Sequence, residues 1–233
     1  MPPACRPVTK QDWLIDRFLF QQELDRYSLP RGVHSSTMNR LRRLRARQAA
    51  GAMRSAGKIR VTETRSQQAF NRLIFLEVFG HLDVLHGPST YSLISEVPFG
   101  NSKPDLSLGH FSPTLGDVQA VVELKTAGAD LTEEQPTYPK LNGRYPTPIE
   151  QGLLARKRAK VPWAIVTNMY ELYLFHESSD AVALYADLMS LATDQVRWLH
   201  FVFGRGGITS TSPTPPSRMG QLVVRARRMR ANP

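Results

Sequence analysis

Val118-Gln119-Ala120-Val121-Val122-Glu123-Leu124-Lys125 decides how the chain is read, together with Lys103-Pro104-Asp105 upstream of it. Side chains alternate between the two faces of a strand. Val118, Ala120, Val122 and Leu124 therefore form one apolar face, and Gln119, Val121, Glu123 and Lys125 form the other. The second face ends in a carboxylate and an ammonium at the tip of a strand that otherwise reads as interior. Charges in such a place are paired, metal-bound or functional. Asp105 lies on the preceding predicted strand, and a hairpin between the two would bring it beside Glu123. Two acidic groups at one strand end suit a hard divalent cation such as Mg2+, which takes oxygen ligands and retains several waters. A lysine beside that ion could orient or help deprotonate an attacking water, as phosphodiester hydrolysis requires.

Around this stretch the spacing predicts an ordered series of elements. Thr9 caps a helix carrying Trp13, Phe20, Leu24 and Tyr27 up to Leu29-Pro30, and an arginine-coated helix runs from Thr37 to about Arg54. A third helix spans Thr62 to Phe79, with Glu63, Phe70, Ile74 and Glu77 on one face. Strands follow at Tyr91 to Val97, Lys103 to Phe111 and Val118 to Thr126, joined by Gly-Asn, Ser-Pro and Gly-Asp turns. Residues 127 to 146 have no periodicity, and loops of that length inside a domain are functional or mobile. Pro148 opens a helix to about Lys160. Val161 to Thr167 and Glu171 to Phe175 read as strands, and Ala181 to Leu191 and Asp194 to Phe203 as helices. The Thr, Ser, Pro and Arg content after Gly204 reads as a disordered basic linker or tail.

Pro104-Asp105 followed by Glu123-Leu124-Lys125 resembles the signature of the PD-(D/E)xK nuclease superfamily. Four blocks in order, Val97 to Asp105, Val121 to Thr126, Thr147 to Gln151 and Pro162 to Asn168, are similar more narrowly to the N-terminal endonuclease domain of restriction enzymes fused to adenine-N6 DNA methyltransferases. The resemblance covers about residues 62 to 203. It implies an α/β fold with a restriction-endonuclease-like αβββαβ core, a mixed central sheet and, in this chain, an N-terminal helical extension. The domain organisation expected is a helical basic extension over 1–61, a nuclease domain over 62–203 and the tail over 204–233.

The resemblance also implies a set of roles. Asp105, Glu123 and the backbone carbonyl of Leu124 would hold Mg2+, for which Mn2+ would substitute. Lys125 would position the hydrolytic water, and an acid on the first helix would support the metal shell. Glu63 is the first candidate for that acid and Glu77 the alternative. Gln151 is carried over as a residue contacting the site, although related sequences often have an aromatic residue four positions later, where this chain has Ala155. The implied activity is Mg2+-dependent cleavage of double-stranded DNA within a restriction-modification or related defence system, with a separate methyltransferase or target-recognition subunit as partner. The alternative function is a non-catalytic DNA-binding or regulatory subunit on the same scaffold.

Charge distribution fits a polyanionic partner. The net charge is +10 over 233 residues; setting aside Arg40, Arg42, Arg43, Arg45 and Arg47, and Arg218, Arg225, Arg227, Arg228 and Arg230, leaves the remainder neutral. Arg40, Arg43, Arg47, Lys140, Arg144 and Arg158 are the residues expected to contact DNA. Cys5 is the only cysteine, which excludes an intrachain disulfide and a cysteine-rich zinc site. The six histidines show no metal-ligand spacing, and neither a phosphate loop nor the methyltransferase motif is present. With no apolar run long enough to span a bilayer and no apolar leader, the reading is a cytoplasmic protein with no membrane association.

Overall fold

The computed structural model of the protein describes residues 17–54, 63–87, 89–209 and 217–231. Thr9, Trp13 and Thr62, which the sequence reading uses, lie outside the described residues. Helices α1 (Arg17–Arg26) and α2 (Val33–Arg54) precede α3 (Glu63–Phe70), which continues into a π-helical stretch at Asn71–Val78. Strands β1 (Tyr91–Ser95), β2 (Leu106–Ser112) and β3 (Leu115–Leu124) follow, then α4 (Pro148–Ala159), β4 (Trp163–Thr167), β5 (Glu171–His176) and β6 (Ser179–Asp187). Helices α5 (Val196–Phe203) and α6 (Arg218–Ala231) end the described chain.

The six strands form one mixed sheet in sequence order, β1-β2-β3-β4-β5-β6. Only β3 and β4 are parallel, and α4 makes the crossover between them that a parallel pair needs. Its start is fixed locally. Thr147 Oγ1 accepts the Glu150 N–H at 3.2 Å, Glu150 Oε2 accepts the Thr147 N–H at 2.8 Å, and Pro148 occupies the first turn.

The two sheet faces have different cover. Ala120, Val122, Leu124, Trp163, Ile165, Leu172 and Leu174 bury against the helices α1, α2, α5, α6 and the π-helical stretch. On the opposite face Val121, Ala164, Val166 and Phe175 bury against Ala155 of α4, Val161 and Leu131. Glu123 and Lys125 belong to this second face by the alternation of β3. No helix among the described residues is long and apolar enough to cross a membrane.

Two expectations fail. Ala181 to Leu191 is not a helix: strand β6 runs to Asp187, and Leu184, Ala186 and Leu188 are buried at every second position. The period of two prevails because Glu171–His176 and Ser179–Asp187 pair antiparallel in one sheet, Tyr173 across from Tyr185 and Leu174 across from Leu184. The expected tail is also corrected. Arg218–Ala231 forms α6, with Met219, Leu222, Val223 and Ala226 buried at steps of three, one and three. An apolar stripe of that spacing needs a partner surface, and its arginines on the other positions concealed it in the composition. The N-terminal extension likewise joins the main core, through Phe20, Leu24, Met38, Leu41 and Leu44.

Candidate functional site

The β2–β3 register pairs Leu106 with Val122. One further antiparallel step sets Asp105 across from Glu123, at the strand ends where the sequence reading brings them together. Asp105 Oδ2 accepts the Leu124 N–H at 2.6 Å, which sets its carboxylate against the peptide that follows Glu123. The other side of β3 is held by β4, where the Lys125 N–H donates to the Thr167 carbonyl at 2.8 Å. Residues 123 to 125 are thus clamped from both neighbours.

Glu123 and Lys125 are each only 6% exposed. Lys125 Nζ donates to Glu123 Oε1 at 2.8 Å. Tyr138, from the long segment between β3 and α4, completes a triangle. Its hydroxyl donates to Glu123 Oε1 at 3.3 Å and accepts from Lys125 Nζ at 3.3 Å. The ammonium also lies 4.6 Å from the centre of the Tyr138 ring, within cation–π range. Burial opposes the charge on Lys125, but the Glu123 carboxylate and the hydrogen bonds to Glu123 and Tyr138 outweigh it, so the pKa is raised. Lys125 is therefore an ammonium donor at neutral pH, and a role as general base does not suit this environment. Burial, followed by the Glu123 carboxylate, raises the Tyr138 pKa and keeps the phenol neutral.

Leu124 buries its side chain in the core while its carbonyl accepts from Gln67 Nε2 at 3.2 Å. Gln67 comes from α3 and was missed by the sequence reading. The signal was faint but present: it lies one helical turn after Glu63. Of Glu63 only the backbone is described, at the start of α3. Glu77 is engaged elsewhere, by Arg40 at 3.1 Å and Arg72 at 3.6 Å.

Helix α4 approaches this face closely because position 152 is glycine. A Cβ there would lie 2.5 Å from Val166 Cγ2 and 3.5 Å from Glu123 Cβ. The adjacent Gln151 is buried. Its Nε2 donates to the Pro146 carbonyl at 3.2 Å, while Oε1 is buried and has no hydrogen-bond partner among the described residues. An orphaned acceptor of this kind costs free energy and is uncommon in native interiors.

The expected DNA contacts divide. Arg43, Arg47 and Arg158 are exposed. Arg40 is tied to Glu77, and Arg144 to Glu150. Lys140 lies exposed over the Tyr145 ring. Arg45, between Arg43 and Arg47, has a structural task, donating to the carbonyls of Leu188 and Leu191.

Comparison of this chain with protein-family models, curated proteins and solved structures finds no match. The site's own chemistry is the remaining guide. Among the described residues no group of three or more His, Cys, Asp or Glu side chains could hold a metal ion. A cation at this corner has available two carboxylates, Asp105 and Glu123, and the Leu124 carbonyl. So few protein oxygens fit Mg2+, which binds through one or two carboxylates and keeps its waters, and fit Ca2+ or Zn2+ poorly.

Proposed function

We propose that the chain is a metal-dependent DNA endonuclease with a restriction-endonuclease-like core, acting as the nuclease part of a restriction-modification or related defence system. The observation that carries this reading is the junction of Asp105 with the Glu123-Leu124-Lys125 backbone, with the Lys125 ammonium on the same strand end. The element order helix, three antiparallel strands, crossover helix, parallel strand is consistent with it.

Asp105, Glu123 and the Leu124 carbonyl would hold Mg2+, with Mn2+ as a substitute. When bound, the ion lowers the pKa of water and offsets charge on a phosphate. Lys125 donates from its ammonium, holding the hydrolytic water or a phosphate oxygen in line. Gln67 fixes the direction of the Leu124 carbonyl. Glu63 is proposed as the supporting acid, and Gln151 as a polar group lining the α4 side. Hydrolysis would leave a 5′-phosphate and a 3′-hydroxyl. Arg43, Arg47 and Arg158 supply exposed cations for the backbone of double-stranded DNA.

Nicking of supercoiled plasmid in Mg2+ or Mn2+ tests the reading, with Asp105→Ala, Glu123→Ala and Lys125→Ala alongside. Cleavage by the parent alone supports it; equal cleavage by all four sinks it.

A second reading, a non-catalytic DNA-binding or regulatory subunit, is favoured by one observation: Lys125 Nζ is already bonded to Glu123 and Tyr138. Calorimetric Mn2+ titration separates the two, since a scaffold that has lost catalysis at this corner gives no binding that depends on Glu123.

A further inference from the structure

The segment that carries Tyr138 is anchored at both ends and exposed in the middle. At its start the Gly128 N–H donates to the Asn168 carbonyl at 3.1 Å, and Asn168 Nδ2 donates to the Ala129 carbonyl at 2.8 Å. Leu131 is buried against the α4 side of the sheet, and its carbonyl accepts from Ile149 at 3.3 Å. The Gln135 N–H donates to the Pro146 carbonyl at 3.1 Å, closing the neck. Beyond that neck every residue from 136 to 144 is exposed.

The tip has its own closure. Leu141 and Arg144 exchange backbone hydrogen bonds at 2.8 and 3.3 Å, around Asn142 at φ 50° and Gly143 at φ 86°. Two successive positive φ angles on Asn-Gly define a tight two-residue hairpin turn. Residues 136–144 are therefore a preformed flap on a narrow neck. Among the described residues, the only side-chain hydrogen bonds this tip sends to the sheet are those of the Tyr138 hydroxyl to Glu123 and Lys125.

The position of that hydroxyl is informative. It bonds at once to a carboxylate oxygen and to an ammonium, at the two groups a reacting oxygen would have to reach. Tyr138 itself is 39% exposed, whereas the pair beneath it is 6% exposed at each residue. Tyr138 is thus the contact between the tip and the buried pair, while Arg144 ties the base of the tip to Glu150 of α4.

We propose that Tyr138 is a gate on the Glu123–Lys125 pair: the flap 136–144 lies closed here, its phenol oxygen holding the place of a substrate or water oxygen. It swings out about the Gln135–Pro146 neck when that oxygen binds, a movement that also releases the Arg144–Glu150 ion pair at its base. Tyr138 is thus a positioning and occluding residue of the site. The idea rests on the nuclease reading for the identity of the incoming group, an oxygen of a phosphate ester or of a hydrated divalent cation, but the occlusion itself is independent of it.

The test uses the full chain, Tyr138→Ala and Tyr138→Phe. Each is treated with limiting acetic anhydride and modification of Lys125 is read by peptide mass, with Lys103 and Lys160 as internal references. A gate gives at least tenfold faster modification of Lys125 in Tyr138→Ala, an intermediate rate in Tyr138→Phe, and unchanged rates at the exposed references, with parental melting temperatures by circular dichroism reporting that the fold is intact. Equal Lys125 rates in all three proteins overturn the gate. Mn2+ titration of the same samples adds the second arm. If the parent binds and Tyr138→Ala binds at least tenfold more tightly, the phenol competes with the cation; binding no tighter than the parent overturns that competition, while the Lys125 rates alone decide the occlusion. Should Lys125 become accessible while no protein binds Mn2+, the gate stands and the metal-dependent reading is what fails.

Discussion

Asp105 Oδ2 accepts the backbone N–H of Leu124 at 2.6 Å, tying the carboxylate of one strand end to the peptide that separates Glu123 from Lys125. The bond does two things at once. It satisfies a backbone donor beyond the end of the regular β2–β3 ladder, and it holds one carboxylate oxygen in a fixed direction against the peptide that follows Glu123. A hydrogen bond to an ionised acceptor contributes about 1.5–3 kcal/mol. Asp105→Ala is therefore expected to lower stability by about that amount as well as abolish divalent-cation binding, while Asp105→Asn should recover part of the stability and little of the binding. Thermal unfolding beside Mn2+ calorimetry checks both, and an Asp105→Ala protein of parental stability would contradict the bond.

The Glu123–Lys125 pair predicts a pronounced non-additivity. Removing one partner strands a charge that has almost no access to water, at a cost of roughly 3 kcal/mol or more. Glu123→Ala and Lys125→Met should each be strongly destabilised, and combining the two should cost less than the sum. Urea unfolding of the four proteins in a double-mutant cycle measures the coupling; additive losses would show that the pair is solvated in solution.

Gly152 sets the distance between α4 and the strands. Alanine in a helix interior ordinarily gains about 0.5–1 kcal/mol over glycine. Here the new methyl group would lie 2.5 Å from Val166 Cγ2, a fully buried side chain. Gly152→Ala should be destabilised despite that gain, by about 1 kcal/mol or more net, and should disturb cation binding through the Glu123 Cβ beside it. A stabilised variant would mean that α4 stands further off.

Three buried imidazoles are expected to make stability fall in mild acid. Burial pushes the pKa of His81 down to about 4, even against its bond to the Phe203 carbonyl; burial and then nearby arginines do the same to His176 and His200, each to about 4. In the unfolded chain each titrates near its ordinary 6.5. Between these values the unfolded state binds more protons, so unfolding free energy decreases as pH falls. The contribution is intact above pH about 6.5 and is lost progressively toward pH about 4, and His81 alone accounts for about 3 kcal/mol. Denaturant midpoints across this range should drop steeply in the parent and less steeply in His81→Gln.

The arginines of α2 should separate by task. On the proposed function, Arg43→Ala and Arg47→Ala are expected to weaken DNA binding and to reduce the dependence of log K on log salt by about 0.9 for each phosphate no longer neutralised. Arg45→Ala should leave that slope unchanged and lower the melting temperature instead, because it uncaps the Leu188 and Leu191 carbonyls. Fluorescence anisotropy over a salt series distinguishes them.

Helix α6 shows where composition misleads. Read as Thr, Ser, Pro and Arg, the end of the chain suggests a solvated tail, yet Met219, Leu222, Val223 and Ala226 repeat at helical spacing and fill the core. The period was legible and was outweighed by the charge. Likewise Leu184, Ala186 and Leu188 alternate as a strand does, but the unbroken apolar run from Ala181 to Ala186 also reads as a helix, and only the presence of β5 as a pairing edge decided between them.

The sequence by itself determined the faces. The alternation along residues 118 to 125 set the apolar side and the charged strand end, and the order of helix, strands and crossover helix followed from periodicity and turn chemistry, all of them local in origin. Only the tertiary structure decided what surrounds that end. Gln67 reaches the Leu124 carbonyl from 57 residues away, and Tyr138 arrives from an aperiodic segment that carries no local signal. Glu77, on the face predicted for a supporting acid, is committed to Arg40 instead. Such contacts depend on where separate elements come to rest, which is fixed by packing across the whole core.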